Sequence, residues 1–190
     1  MSIGSGAADR RKWNQRYAEA GSLERPAPHP LVLRWRERMA GGPMLDAACG
    51  LGRGLAGALE RCQPCYAVDV SDVAIRRARR LWPSPAIRWV VADVTALHWP
   101  PAFLALACSL GFTDVPFLVR LRAALRPGGL LLYEGFARRQ LAEHPRLNPD
   151  WTTTAERMRS LFGDWTILEC QESAEPPYLV SFAGMRPARA

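Results

Sequence analysis

The chain has 190 residues, enough for one domain with a single sizeable core. Its composition, 48% apolar and 23% charged, is that of a globular protein and excludes collagen-like repeats, coiled coil and wholesale disorder. The formal net charge is +7, carried by 24 Arg and by Lys12 alone among the lysines, so nucleic acid or an anionic ligand has to be weighed as a partner.

Residues 1–9 are small and polar with no apolar h-region, and the longest apolar run, 103–112, is about half of a bilayer span. The expectation is a cytoplasmic protein with no membrane partner. Up to about residue 40 the chain reads as helical and polar, with a Pro-rich break at 25–30. Within it, Leu31, Val32, Trp35 and Met39 recur near helical spacing. From Pro43 short apolar runs alternate with amphipathic stretches, the pattern of a parallel α/β sheet. Strands are predicted at 44–47, 65–69, 87–91, 103–109 and 130–134, with helices at 53–61, 72–82 and 115–125 between them. Pro127-Gly128-Gly129 stops the last of these helices. A helix at 153–162 and two β-rich stretches, 165–172 and 178–185, complete the chain. The last two are joined by a short turn and must be antiparallel neighbours, giving a seven-stranded sheet.

Chemistry concentrates in Leu45-Asp46-Ala47-Ala48-Cys49-Gly50-Leu51-Gly52-Arg53-Gly54, an apolar strand running into a Gly-rich turn. Glycines at 50 and 52 let backbone approach a ligand, and a helix beginning beyond them offers unpaired N–H groups. A dinucleotide fingerprint requires a small residue at 55, where Leu55 stands. With Asp46 four residues before Gly50, this segment instead resembles the class I S-adenosylmethionine (SAM)-dependent methyltransferases, although Ala48 stands where that family often has its first glycine. Asp69 at the end of the second strand, Asp93 at the end of the third and Pro127-Gly128-Gly129 before the fifth follow in the family's order, so the resemblance runs from about residue 44 to 134.

The resemblance implies a Rossmann-like α/β fold: a seven-stranded, mostly parallel sheet with helices on both faces and an antiparallel last strand. It divides a single domain, 1–190, into an N-terminal lid (1–40), a SAM-binding core (43–135) and a C-terminal helix with its strand pair (136–190). By the same resemblance Asp46, Ala48, Gly50, Gly52 and Ser109 lie along the cofactor, Asp69 with Val70 takes the ribose hydroxyls, and Asp93 with Val94 reads the adenine edge. Lys12-Trp13-Asn14-Gln15-Arg16-Tyr17 is similar to the W-x-x-R-Y segment of the tellurite-resistance and thiopurine methyltransferases. That likeness implies Trp13 and Tyr17 over the cofactor and makes Arg16 and Tyr17 the catalytic candidates, with Arg16 able to meet an anion. Trp13 and Tyr17, four apart on a helix, equally form an ordinary packed pair.

The acceptor is expected over strands one, four and five, against Phe112, Phe136 and Arg138, with Arg139 and Thr113 nearby. The activity implied is methyl transfer to a small-molecule acceptor, such as a thiol or other chalcogen compound. An RNA or protein methyltransferase and a catalytically silent SAM-fold protein stand as alternatives. Nucleic acid is disfavoured because Arg76, Arg77, Arg79 and Arg80 read as the solvated face of a helix. Metal is not expected: His29, His98 and His144 lack ligand spacing, and Cys62 and Cys65 form a lone C-x-x-C. Glu175-Pro176-Pro177-Tyr178 is read as a turn, and His144 is the candidate general base.

Overall fold

The computed structural model describes residues 5–21 and 24–188; residues 1–4 and 22–23 of the expected lid lie outside the described residues. Five strands alternate with connections in chain order: β1 (Met44–Ala47), β2 (Cys65–Asp69), β3 (Ile87–Val91), β4 (Leu104–Leu110) and β5 (Leu125–Ala137). All of their pairings are parallel. After β5 come a two-residue strand, β6 (Thr152–Thr153), and a hairpin of β7 (Thr166–Glu172) and β8 (Leu179–Met185). The spatial order is β3-β2-β1-β4-β5-β8-β7, with β6 paired to the end of β5. β8 runs antiparallel to both β5 and β7, so the hairpin inserts its second strand beside β5. The expected seven strands are present, and β6 adds an eighth too short to leave a periodic trace in the sequence.

Both faces of the sheet are covered, which is why β1 is buried throughout and β4 at all but its last residue. One face packs Leu45, Phe117, Tyr133 and Phe182. The other packs Met44, Leu55, Leu106 and Leu132. The helix α3 (Asp72–Leu81) buries Ala74, Ile75, Ala78 and Leu81, and Ser71 caps it by accepting the Ala74 N–H. Two further helices, α1 (Ser5–Glu19) and α2 (Pro30–Trp35), precede the sheet, and α4 (Val115–Ala124) leads into β5. Pro127-Gly128-Gly129 therefore lies within the start of β5 rather than between helix and strand.

The expected helix at 53–61 is replaced by a chain of hydrogen-bonded turns running from Leu51 to Cys62. Gly57 has φ +87, a left-handed conformation that interrupts a right-handed helix. A Cβ there would stand 3.3 Å from Leu33 and 3.6 Å from Val32, so the close docking of α2 sets the break. The consequence is chemical as well as architectural: the glycine loop is not followed by a regular helix whose N-terminus could hold a ligand.

Candidate active site

The sheet order reverses at β1, which pairs with β2 on one side and β4 on the other, and such a reversal opens a crevice at the carboxyl ends of the strands. A cavity of about 530 Å³ occupies it. Its floor comes from strand ends: Ala48 after β1, Asp69 and Val70 after β2, Asp93 and Val94 after β3. Phe112 and Thr113 follow β4, and Phe136 lies near the end of β5.

Asp69 is buried, and both carboxylate oxygens are held: Oδ2 accepts the Gly50 N–H at 2.8 Å and Oδ1 the Ser71 N–H at 2.8 Å. Burial pushes its pKa up, while those two N–H donors pull it back. Asp93 caps the short turn 94–96, its Oδ1 accepting from the Thr95 N–H at 2.9 Å and the Thr95 hydroxyl at 2.7 Å. Asp46 is not on the cavity wall; it is 2% exposed, and its Oδ2 has no partner among the described residues. Burial and the charge of Asp69 hold the Asp46 carboxyl well above the usual carboxylate range. Gly54 makes room for it, since a Cβ there would stand 2.5 Å from Asp46 Oδ1. Ala48 has φ +52, which costs a non-glycine residue about 1–2 kcal/mol. The position at which the family often carries glycine thus demands a glycine conformation here as well.

α1 forms the roof. The span from Gly6 to Tyr17 is about 16 Å of helix. At one end a Cβ on Gly6 would lie 3.9 Å from Asp93 Oδ2; at the other, a Cβ on Gly50 would collide with the Tyr17 hydroxyl. Trp13 and Tyr17 do pack, ring centres 6.2 Å apart, and both also line the cavity. Burial, with Asp69 and Cys49 nearby, raises the Tyr17 pKa, so this phenol keeps its proton at neutral pH.

Asn14 latches the roof to α3. Its Nδ2 donates to Asp72 Oδ1 at 2.7 Å, and its Oδ1 accepts from the Ser71 hydroxyl at 2.7 Å and the Val73 N–H at 3.4 Å. Arg10 donates to the Val70 carbonyl, and Arg77 donates to the Tyr17 and Ala20 carbonyls at the C-terminal end of α1. Arg77 therefore belongs to the latch and not to a solvated face. Asn14→Ala is expected to remove about 1–2 kcal/mol from closure of α1. Limited trypsinolysis should then cut several-fold faster at Arg10 and Arg11, with the thermal midpoint of the sheet nearly unchanged.

A third wall comes from the segment after β5: a short helix α5 (Gln140–Glu143), then His144, Arg146, Leu147 and Trp151. It meets the roof where Lys12 Nζ stands 4.2 Å from the Trp151 ring centre.

Of the sequence-predicted residues, the cavity brings together Trp13, Arg16, Tyr17, Ala48, Asp69 and Val70. It also holds Asp93, Val94, Phe112 and Phe136. Gly50 and Gly52 are not on its wall: the Cβ space of Gly50 is filled by Tyr17, and that of Gly52 by Leu55 and Trp82, each 2.8 Å away. These glycines admit side chains of the protein itself. Ser109 is fully buried, its hydroxyl donating to the Phe112 carbonyl at 2.9 Å, so it shapes the turn that presents Phe112. Arg138 lies in a separate groove with Thr153 and Arg157, and Arg139 stacks 3.9 Å from the Tyr178 ring centre. The basic residue this segment brings to the cavity is Arg146, which sequence reasoning missed, as it did Lys12 and Trp151. Only the position of the insert after β5 pointed toward it.

His29 is buried, capping α2 through Nδ1 and reaching Glu134 Oε1 with Nε2 at 2.9 Å; the pairing holds Glu134 below its usual range against the effect of burial. Among the described residues no cluster of three His, Cys, Asp or Glu stands close enough to hold a metal. No helix among them is long and apolar enough to cross a membrane.

Residues 44–129 match the family model described as a methyltransferase domain. No curated protein matches the chain. Among solved structures, an S-adenosylmethionine dependent methyltransferase from Mesorhizobium loti is 19% identical over 81% of this chain and 95% of its own, with a TM-score of 0.65. The N-methyltransferase NodS from Bradyrhizobium japonicum is 12% identical over 98% and 99%, TM-score 0.62. The 1,6-didemethyltoxoflavin-N1-methyltransferase of Burkholderia thailandensis, solved with 1,6-didemethyltoxoflavin and S-adenosylhomocysteine bound, is 17% identical over 95% of this chain and 85% of that one, TM-score 0.62. At these identities the structural likeness is one of fold. Residues 44–129 thus match a methyltransferase domain, and the fold built around them is the one seen in these SAM-dependent methyltransferases.

Proposed function

We propose that the cavity binds SAM along its floor and a small-molecule acceptor beside it, and that α1 closes over both. The observation that carries this reading is the partly enclosed cavity of about 530 Å³ with a fixed carboxylate, Asp69, on its floor and a latched helix as its roof. Such a space suits a small acceptor better than a nucleic acid or protein surface. The Burkholderia enzyme, of similar fold, is an N1-methyltransferase solved with 1,6-didemethyltoxoflavin bound.

The residues fit the cofactor. Asp69, fixed by Gly50 and Ser71, accepts from the ribose hydroxyls with its remaining lone pairs. Asp93 and the Val94 N–H lie at the adenine end. Asp46, whose Oδ2 lacks a partner, supplies negative charge toward the ammonium of the methionine end. Tyr17 and Trp13 exclude water from above. When bound, the cofactor would supply an electrophilic methyl on a sulfonium, open to in-line displacement by the acceptor's lone pair with the bonding pair left on sulfur. The protein's task is alignment and desolvation, worth on the order of 7–11 kcal/mol for well-placed reactants. A thiolate or other soft chalcogen acceptor needs no base; for an acceptor that carries a proton, His144 is the basic group on the wall.

Isothermal titration with SAM and with S-adenosylhomocysteine is expected to show saturable binding of both. If neither produces a binding isotherm, the reading is wrong at its first step.

A further inference from the structure

The cavity wall carries charges of both signs. Asp69 and Asp93 stand at the ends of β2 and β3, and Asp9 is one turn along α1 from Gly6, which itself lies over Asp93. The carboxylates among the described lining residues thus gather at the end assigned above to adenosine. Beyond Asp9 along α1 the wall carries Lys12 and Arg16, one helical turn apart, and it also carries Arg146 from the segment after β5. Among the described residues none of these three cations pairs with a carboxylate; the ion pairs of the chain are elsewhere. Lys12 and Arg16 lie instead against the aromatic rings of Trp151 and Trp13. The surfaces beside them are flat and apolar: Phe112, Phe136 and Trp151.

Lys12, Arg16 and Arg146 are exposed at the cavity wall and keep their hydration, so they stand free to form charge-assisted hydrogen bonds with a ligand that brings an anion. Aromatic side chains next to them favour a planar ring over a flexible chain, because stacking and edge contacts add to simple burial. An inorganic oxyanion would satisfy the charges and leave the rings unused.

We propose that the acceptor is a small planar aromatic acid, its ring held among Phe112, Phe136 and Trp151 and its carboxylate met by Arg146, with Lys12 and Arg16 across the cavity. This assignment rests on the reading of the cavity as a SAM site with its acceptor space alongside. It differs from the sequence-based expectation in the cations it uses: Arg138 and Arg139 lie away from the cavity, and Arg146 takes the place expected of them.

The experiment titrates protein saturated with S-adenosylhomocysteine with 4-hydroxybenzoate, with its neutral and cationic counterparts 4-hydroxybenzamide and 4-hydroxybenzylamine, with cyclohexanecarboxylate and with sulfate. The expected result is that 4-hydroxybenzoate binds at least about tenfold more tightly than the amide, the amine, the saturated acid and sulfate. Arg146→Ala, and separately Lys12→Ala, should each reduce that preference several-fold without altering affinity for S-adenosylhomocysteine. Equal binding of the amide or amine overturns the anion assignment, and equal binding of cyclohexanecarboxylate or sulfate overturns the aromatic one. An acid preference that survives both substitutions overturns the assigned residues, and failure of 4-hydroxybenzoate to bind at millimolar concentration overturns the whole. These failures are distinct from that of the underlying reading, which fails only if S-adenosylhomocysteine itself does not bind.

Discussion

Asp46→Asn is expected to stabilise the protein and weaken its hold on SAM. Asp46 is 2% exposed and its Oδ2 has no partner, so a charge there costs solvation that nothing repays in the absence of ligand. Neutralising it should gain about 1–3 kcal/mol near neutral pH. At roughly 2–4 °C per kcal/mol for a chain of this size, the thermal midpoint should rise by about 2–10 °C. The sign of the pH dependence follows from the raised carboxyl pKa. A group that binds its proton more tightly folded than unfolded lowers stability as pH rises from the unfolded value, about 4, toward the folded one. The advantage of the Asn variant should therefore shrink as pH is lowered toward about 4. Differential scanning across that range checks this, and titration with SAM checks the opposite effect on binding. A variant both less stable and unchanged in affinity would remove Asp46 from the site.

Asp69→Ala should be the more damaging change for the ligand and the milder one for the fold. Two ribose hydroxyls donating to one carboxylate form charge-assisted hydrogen bonds, and their loss is worth about 1.5–3 kcal/mol, or roughly 10- to 100-fold in the dissociation constant of S-adenosylhomocysteine. The variant also frees the Gly50 and Ser71 N–H groups, but it relieves the burial that raises the Asp69 pKa, and these effects oppose each other. The thermal midpoint should move by only a few degrees. A change in affinity below threefold would mean that Asp69 holds the loop and not the ligand.

Both residues were legible in the sequence because the chemistry there is local: an acid at the end of a short apolar strand, followed by a turn. The parallel order of strands was legible for the same reason, since each strand announces itself by composition. What the sequence hid was set at a distance. The stretch 53–61 has helical spacing, yet packing of α2 against Gly57 forces a left-handed residue into it. Gly50 and Gly52 suggested backbone approach to a ligand, and only the fold brings Tyr17 and Trp82 into the Cβ spaces they leave open. Asn14 finds partners at Ser71, Asp72 and Val73, nearly sixty residues away, which no local pattern encodes. The wall from His144 to Trp151 consists of short turns whose order comes from contact with α1 and β5, so it carried no periodic signal.

The roof helix also bears on the rhythm of catalysis. On the proposed placement of the nucleoside beneath α1, its release is coupled to the bonds that hold α1 to α3. Each cycle then contains an opening event governed by residues that never touch the methyl group. Turnover is then expected to follow exchange of the nucleoside rather than displacement at carbon, its pace set by the joint hold of Asn14, Arg10 and Arg77 on α1.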